Sequence, residues 1–210
     1  TVVDLTGLIT SLALQQSVSL NNRGQVVFTG YGRPAVGQPS TAGAFVYDRA
    51  TGTISRFADG STVSGRETAL GPTINDAGEI AYIDWYGINS ARLWKKSGEE
   101  LTLIAQATGG FSFISNPVIN NHGDVVFTGI LTGGNSGLFV GPDPVADRVI
   151  AAGDSLFGST VTAAGLHRSF NDRGQIAFKY TLANGVSGIA LASPVYYPTE
   201  VPTATPVPPG

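Results

Sequence analysis

Short runs of alternating polar and apolar residues recur along the chain, each led by a polar knot. Asn21-Asn22-Arg23-Gly24 precedes Gln25-Val26-Val27-Phe28, and the succession returns over residues 75–82, 120–127 and 171–178. The common form is Asn-x-x-Gly-x-x-x-aromatic. Asn side chains bond nearby backbone, and Gly takes positive φ without a Cβ clash. Asn21, Gly24, Asn75, Gly78, Asn120, Gly123, Asn171 and Gly174 therefore read as turns that repeat with the architecture. An apolar residue (Leu20, Ile74, Ile119, Phe170) ends a strand before each turn. The alternation after it opens a strand with one buried face. Each copy predicts a β-hairpin with its glycine in a bulged turn.

A second apolar run follows each hairpin: Gly43-Ala44-Phe45-Val46-Tyr47, Arg92-Leu93-Trp94, Gly137-Leu138-Phe139-Val140 and Gly188-Ile189-Ala190-Leu191. It starts 14 positions after the motif glycine in three copies and 19 after Gly24, which places an exposed insertion around Pro34, Gly37 and Pro39. A third run, at residues 53–57, 101–105 and 148–151, completes a unit of four short strands. The motif glycines lie 54, 45 and 51 residues apart. That spacing matches propeller blades of about 40–50 residues. No amphipathic helical run is sustained.

The fourth unit lacks its last strand, because Pro194 follows Ile189-Ala190-Leu191. Thr1-Val2-Val3-Asp4-Leu5-Thr6-Gly7 resembles residues 103–109 and 149–153 and can supply it. The 20 residues from Gly174 to Pro194 and the 24 from Thr1 to Gly24 make 44, close to the shortest full unit of 45. The expected fold is all-β: a four-bladed β-propeller of four-stranded blades over residues 1–193. Its N-terminal strand completes the last blade, either its own or a neighbour's. Closure would cover an edge that otherwise templates aggregation.

Residues 194–210 change character and hold half of the chain's 12 prolines. Proline sets extended geometry and cannot donate to a sheet, so this is a polyproline-II tail of about 50 Å at roughly 3.1 Å per residue. It reads either as a spacer, with Thr199, Thr203 and Thr205 as O-glycosylation candidates, or as a docking arm. The arm would use Tyr196, Tyr197, Pro198, Pro202, Pro206, Pro208 and Pro209, with a second copy of the chain as receptor.

Net charge of −3 with 13% charged residues gives no electrostatic case for nucleic acid or an anionic membrane. No run reaches the roughly 18 apolar residues of a membrane span. Without Cys there is no disulfide frame and no thiolate metal site. The chain also lacks Met and starts at Thr1, as expected of a mature form whose export leader is gone. Recombinant trimming is the plainer alternative.

Candidate chemistry is sparse. His122 occupies a turn position filled by Arg23, Ala77 and Arg173 elsewhere, and His167 has no second His at a ligand spacing. A calcium loop in the turns is spoiled by Ala77, His122 and Arg173. No Gly-x-Ser-x-Gly elbow occurs. Glu67, Asp84 and Asp154 are the carboxylates for a glycoside-cleaving pair, and solvated loop charge is their default reading. Glu99 and Glu100 follow a turn glycine and read as solvated. Trp85 and Tyr86 follow the second hairpin, where aromatics can stack on sugar rings or pack into the core. No catalytic set, metal site or cofactor is expected.

The tandem motif at Asn21/Gly24/Phe28, Asn120/Gly123/Phe127 and Asn171/Gly174/Phe178, with Tyr82 as the variant aromatic, resembles bacterial secreted proteins of the choice-of-anchor type that carry this repeat. The resemblance implies export and a surface or extracellular setting, and it implies no known activity. The expected function is a non-enzymatic, secreted structural subunit that assembles head to tail with its own copies through its terminal segments. The alternative is a surface polysaccharide-binding module on a Pro/Thr stalk. A glycan-active propeller enzyme ranks last.

Overall fold

The computed structural model describes residues 9–12, 18–32, 41–59, 69–85 and 90–194. Among them the chain is all-β, without a helix, and folds into successive antiparallel sheets joined neighbour to neighbour. In the first sheet β1 (Ile9–Leu12) and β2 (Val18–Leu20) share one edge of β3 (Gln25–Gly32), followed by β4 (Thr41–Asp48) and β5 (Thr53–Asp59). The second comprises β6 (Ala69–Ile74), β7 (Ile80–Trp85), β8 (Ala91–Ser97) and β9 (Glu100–Gln106). The third comprises β10 (Phe111–Ile119), β11 (Val125–Leu131), β12 (Ser136–Phe139) and β13 (Arg148–Ala151). The fourth comprises β14 (Ser155–Leu156), β15 (Ser159–Phe170), β16 (Ile176–Leu182) and β17 (Ser187–Ala192).

The hairpins form where the repeat places them, and the motif glycines take φ of +77°, +87°, +80° and +69°. The fourth sheet departs from the expectation. It reaches four strands through β14, which folds back on the start of β15 at the edge opposite β17. The position outside β17, which the sequence assigns to residues 1–7, is filled by no described residue. Residues 1–7, the insertion over residues 33–40 and the tail beyond Pro194 lie outside the described part.

Strand periodicity gives each sheet two faces. In the second, third and fourth sheets the motif aromatic faces the preceding sheet, and in the first three the residue before it faces the following one. Val27 and Ala44 of the first sheet thus pack with Ile74, Ile80 and Tyr82 of the second. Ala81, Ile83 and Leu93 pack with Phe111, Phe127 and Phe139 of the third. Val126, Leu138 and Ile150 pack with Leu166, Ile176 and Phe178 of the fourth. On the forward face, Ala44, Leu93 and Leu138 are repeat counterparts and are fully buried. Their counterpart in the fourth sheet, Ile189, is 81% exposed, and Leu191 beside it is 60% exposed.

Thr29 on β3 is buried, and among the described residues its hydroxyl has no hydrogen-bond partner. An unpaired buried hydroxyl costs about 1–3 kcal/mol, whereas a methyl of similar shape does not. Thr29→Val is therefore expected to raise the unfolding free energy by about 1 kcal/mol, read from the urea midpoint.

Candidate functional site

The ends of β2, β6, β10 and β15 gather at one polar cavity of about 220 Å³, lined by the Asn-Asn/Asp pairs of the first three turns and by Asp172. The motif Asn does more than shape its own turn. Its Oδ1 accepts the backbone N–H four residues on, at 2.9 Å from Gln25, Glu79 and Asp124 and 3.0 Å from Gln175. Its Nδ2 donates to the side-chain oxygen of that same residue, at 2.8 Å to Gln25, 2.7 Å to Glu79, and 3.0 Å to Asp124 and Gln175.

The second Nδ2 hydrogen crosses to the next repeat. Asn21 donates to the carbonyl of Asn75 at 2.9 Å, Asn75 to that of Asn120 at 3.0 Å, and Asn120 to that of Asn171 at 3.3 Å. The neighbouring position forms a parallel chain. The N–H of Asn22 donates to Asp76 Oδ1, that of Asp76 to Asn121 Oδ1, and that of Asn121 to Asp172 Oδ1, each at 2.8 Å. The links from the motif Asn amides and from the N–H groups after them all run forward, and one bond returns, from Asn121 Nδ2 to Asp76 Oδ2 at 3.2 Å. Among the described residues Asn171 Nδ2 donates to Gln175 and not onward to the first turn. The fourth and first sheets meet instead through Arg168, whose Nη1 donates to the Val18 carbonyl.

Two positions of this relay escaped the sequence reading. After the motif Asn, Asp76, Asn121 and Asp172 supply the side-chain acceptor while Asn22 opens the chain as a donor, and Gln25, Glu79, Asp124 and Gln175 supply the acceptor after the motif Gly. A side chain ending in amide or carboxylate at both positions of all four copies was the available signal.

The N–H of Asn22 holds the Asp76 carboxyl below its ordinary value of 3.8, helped by the Asn22 and Asn121 amides and the Arg23 charge. A carboxyl so lowered stabilises the fold above its unfolded value, and that contribution disappears as pH falls through the lowered one. Asp76→Asn is thus expected to flatten the pH dependence of the thermal midpoint below about pH 4. Circular dichroism between neutral and acid pH reads this directly.

A second cavity of about 250 Å³ is lined by Gly71, Thr73, Asn116, Pro117, Leu166, His167 and Arg168. Asn116 and Arg168 adopt φ of +51° and +48° beside bulges in β10 and β15. His167 is exposed there, and His122 is exposed on the third turn. Among the described residues no group of three His, Asp or Glu is placed to hold a metal.

The other candidate carboxylates are engaged locally. Asp84 pairs with Arg92 at 2.6 Å, and Arg92 in turn lies 5.3 Å over the Trp94 ring. Asp154 accepts the N–H of Ala151 at 2.8 Å and lies 3.5 Å from Arg148. Glu99 is fully exposed at the β8–β9 turn. Glu67, the Trp85 side chain, Tyr86, the tail prolines and tyrosines, and Thr199, Thr203 and Thr205 lie outside the described part. Among the described residues no helix is long and apolar enough to cross a membrane.

Residues 10–164 match the model of a family described as a family of unknown function, DUF7453. No curated protein matches the chain. A solved complex of KlAtg21 with the coiled-coil of AgAtg16 is similar at a TM-score of 0.45 and 13% identity, over 85% of this chain and 53% of that one. The chain thus spans about half the length of that protein.

Proposed function

We propose that this chain, which belongs to the DUF7453 family, is a non-enzymatic structural subunit. It is exported, works at a surface or outside the cell, and assembles with copies of itself through its terminal segments. Its four sheets are the blades of a small propeller. The four turns around one cavity and the Arg168–Val18 hydrogen bond support that arrangement. One observation carries the assembly reading. Among the described residues the forward face that is sealed in three sheets is open in the fourth, where Ile189 is 81% exposed. An apolar sheet face beside an unpaired edge is a template for another chain. A contact between unlike ends does not close on itself and so propagates.

Sedimentation velocity and negative-stain imaging test this. The full chain is expected to form polymers at micromolar concentration. Ile189→Lys, and separately the removal of residues 194–210, should each reduce them to single subunits. A full chain that sediments as one monomer at every concentration would sink the proposal.

A further inference from the structure

Resting on that reading, we infer that the outer edge of β17 receives residues Thr1–Leu5 of a second copy as an added antiparallel strand, with Val3 opposite Ile189.

The register follows from the repeats. Thr6-Gly7 corresponds to Thr108-Gly109 in the link from β9 to β10. β10 begins two residues after Gly109 at Phe111, which pairs with Leu131, eight residues past its motif glycine. β1 begins two residues after Gly7 at Ile9, which pairs with Gly32, also eight past its motif glycine. β1 therefore lies on β3 as the start of β10 lies on β11. The residues before β1 then occupy the place in the chain of a preceding unit's fourth strand. Ala105 of β9 pairs with Leu93, and Leu93 is the counterpart of Ile189. Val3 is the counterpart of Ala105 and so falls opposite Ile189, and Asp4 falls opposite Gly188 as Gln106 does opposite Arg92. Ala105 and Leu93 both lie in the core shared with the third sheet, so the added Val3 would share the apolar face of Ile189.

Two observations favour a second copy over the same chain. Among the described residues none covers Ile189 or Leu191, which are 81% and 60% exposed. The forward relay also stops, among the described residues, at Asn171, which sends no amide on to the first turn as Asn21, Asn75 and Asn120 do to their successors. Main-chain pairing along the edge supplies affinity, and alternate side chains set the register.

The chain contains no Cys, so any disulfide is one that was introduced. Opposed residues on antiparallel strands lie within bridging distance. Val3→Cys chains mixed with Ile189→Cys chains under mild oxidation should give a covalent dimer on a non-reducing gel. The double variant should give a ladder. Asp4→Cys faces the other side of the strand, as its exposed counterpart Gln106 does, and its yield with Ile189→Cys should fall at least tenfold. Ile189 is exposed, so its substitution leaves the fold intact.

A monomeric double variant bridged within itself would overturn the inference in favour of closure on its own ring. Absence of any bridge, or equal bridging by Asp4→Cys, would overturn it as well. Polymers without the Val3–Ile189 bridge would leave assembly standing and reject this strand. A monomeric full chain would reject assembly itself, whatever the gel shows.

Discussion

Asn75→Asp is expected to lower the unfolding free energy by about 3 kcal/mol at neutral pH, through the loss of one amide group. Asn75 Nδ2 lies 2.7 Å from Glu79 Oε2 and 3.0 Å from the Asn120 carbonyl, both acceptors. An aspartate oxygen at that point turns two hydrogen bonds into two oxygen–oxygen contacts, one of them between carboxylates. The residue is buried, so water does not substitute for the missing donor. Acid should repair the defect in part, because a protonated carboxyl can donate again. The gap to the parent should narrow below about pH 5. Asn171→Asp provides the contrast, since Asn171 is exposed and sends no link onward. Its cost should stay under about 1 kcal/mol. Equal urea midpoints for the two variants would show that the links between repeats contribute nothing.

A second large effect comes from comparing counterparts in different repeats. Leu93 is fully buried against Ala105, Phe111 and Ile114. Leu93→Ala should cost about 3 kcal/mol, from lost transfer energy plus the cavity left behind. Ile189→Ala, at the matching position of the fourth sheet, removes a side chain that is 81% exposed and should cost less than about 0.5 kcal/mol in the single subunit. Its penalty should appear in the concentration dependence of assembly. A loss above about 2 kcal/mol for Ile189→Ala in dilute monomer would mean that its face is covered in solution.

What the sequence made legible was local. The motif glycines announced positive φ, and the alternation after them announced strands with one buried face. Both follow from interactions within a few residues. The relay was illegible because each partner lies 45 to 54 residues away. Nothing in Asn21 alone says that its second amide hydrogen reaches Asn75. The same holds for Asn116 and Arg168, which take left-handed backbone at bulges without glycine. There the sheet imposes a conformation that propensity disfavours. The short β14 was missed because Ser155-Leu156 is too brief to show any period. The two dyads of acceptors were readable in principle, since every copy repeats them, but their purpose became clear only when the turns met.

The one-way sense of the motif Asn links has an evolutionary corollary. Each turn asks only that its successor offer one carbonyl and one side-chain acceptor, and each copy brings both together with its own donor. A tandem duplication can therefore add a whole copy with every junction intact, and a clean deletion can remove one. A breakpoint inside a copy leaves a buried donor orphaned and is selected against, so descendants should differ in length by complete units.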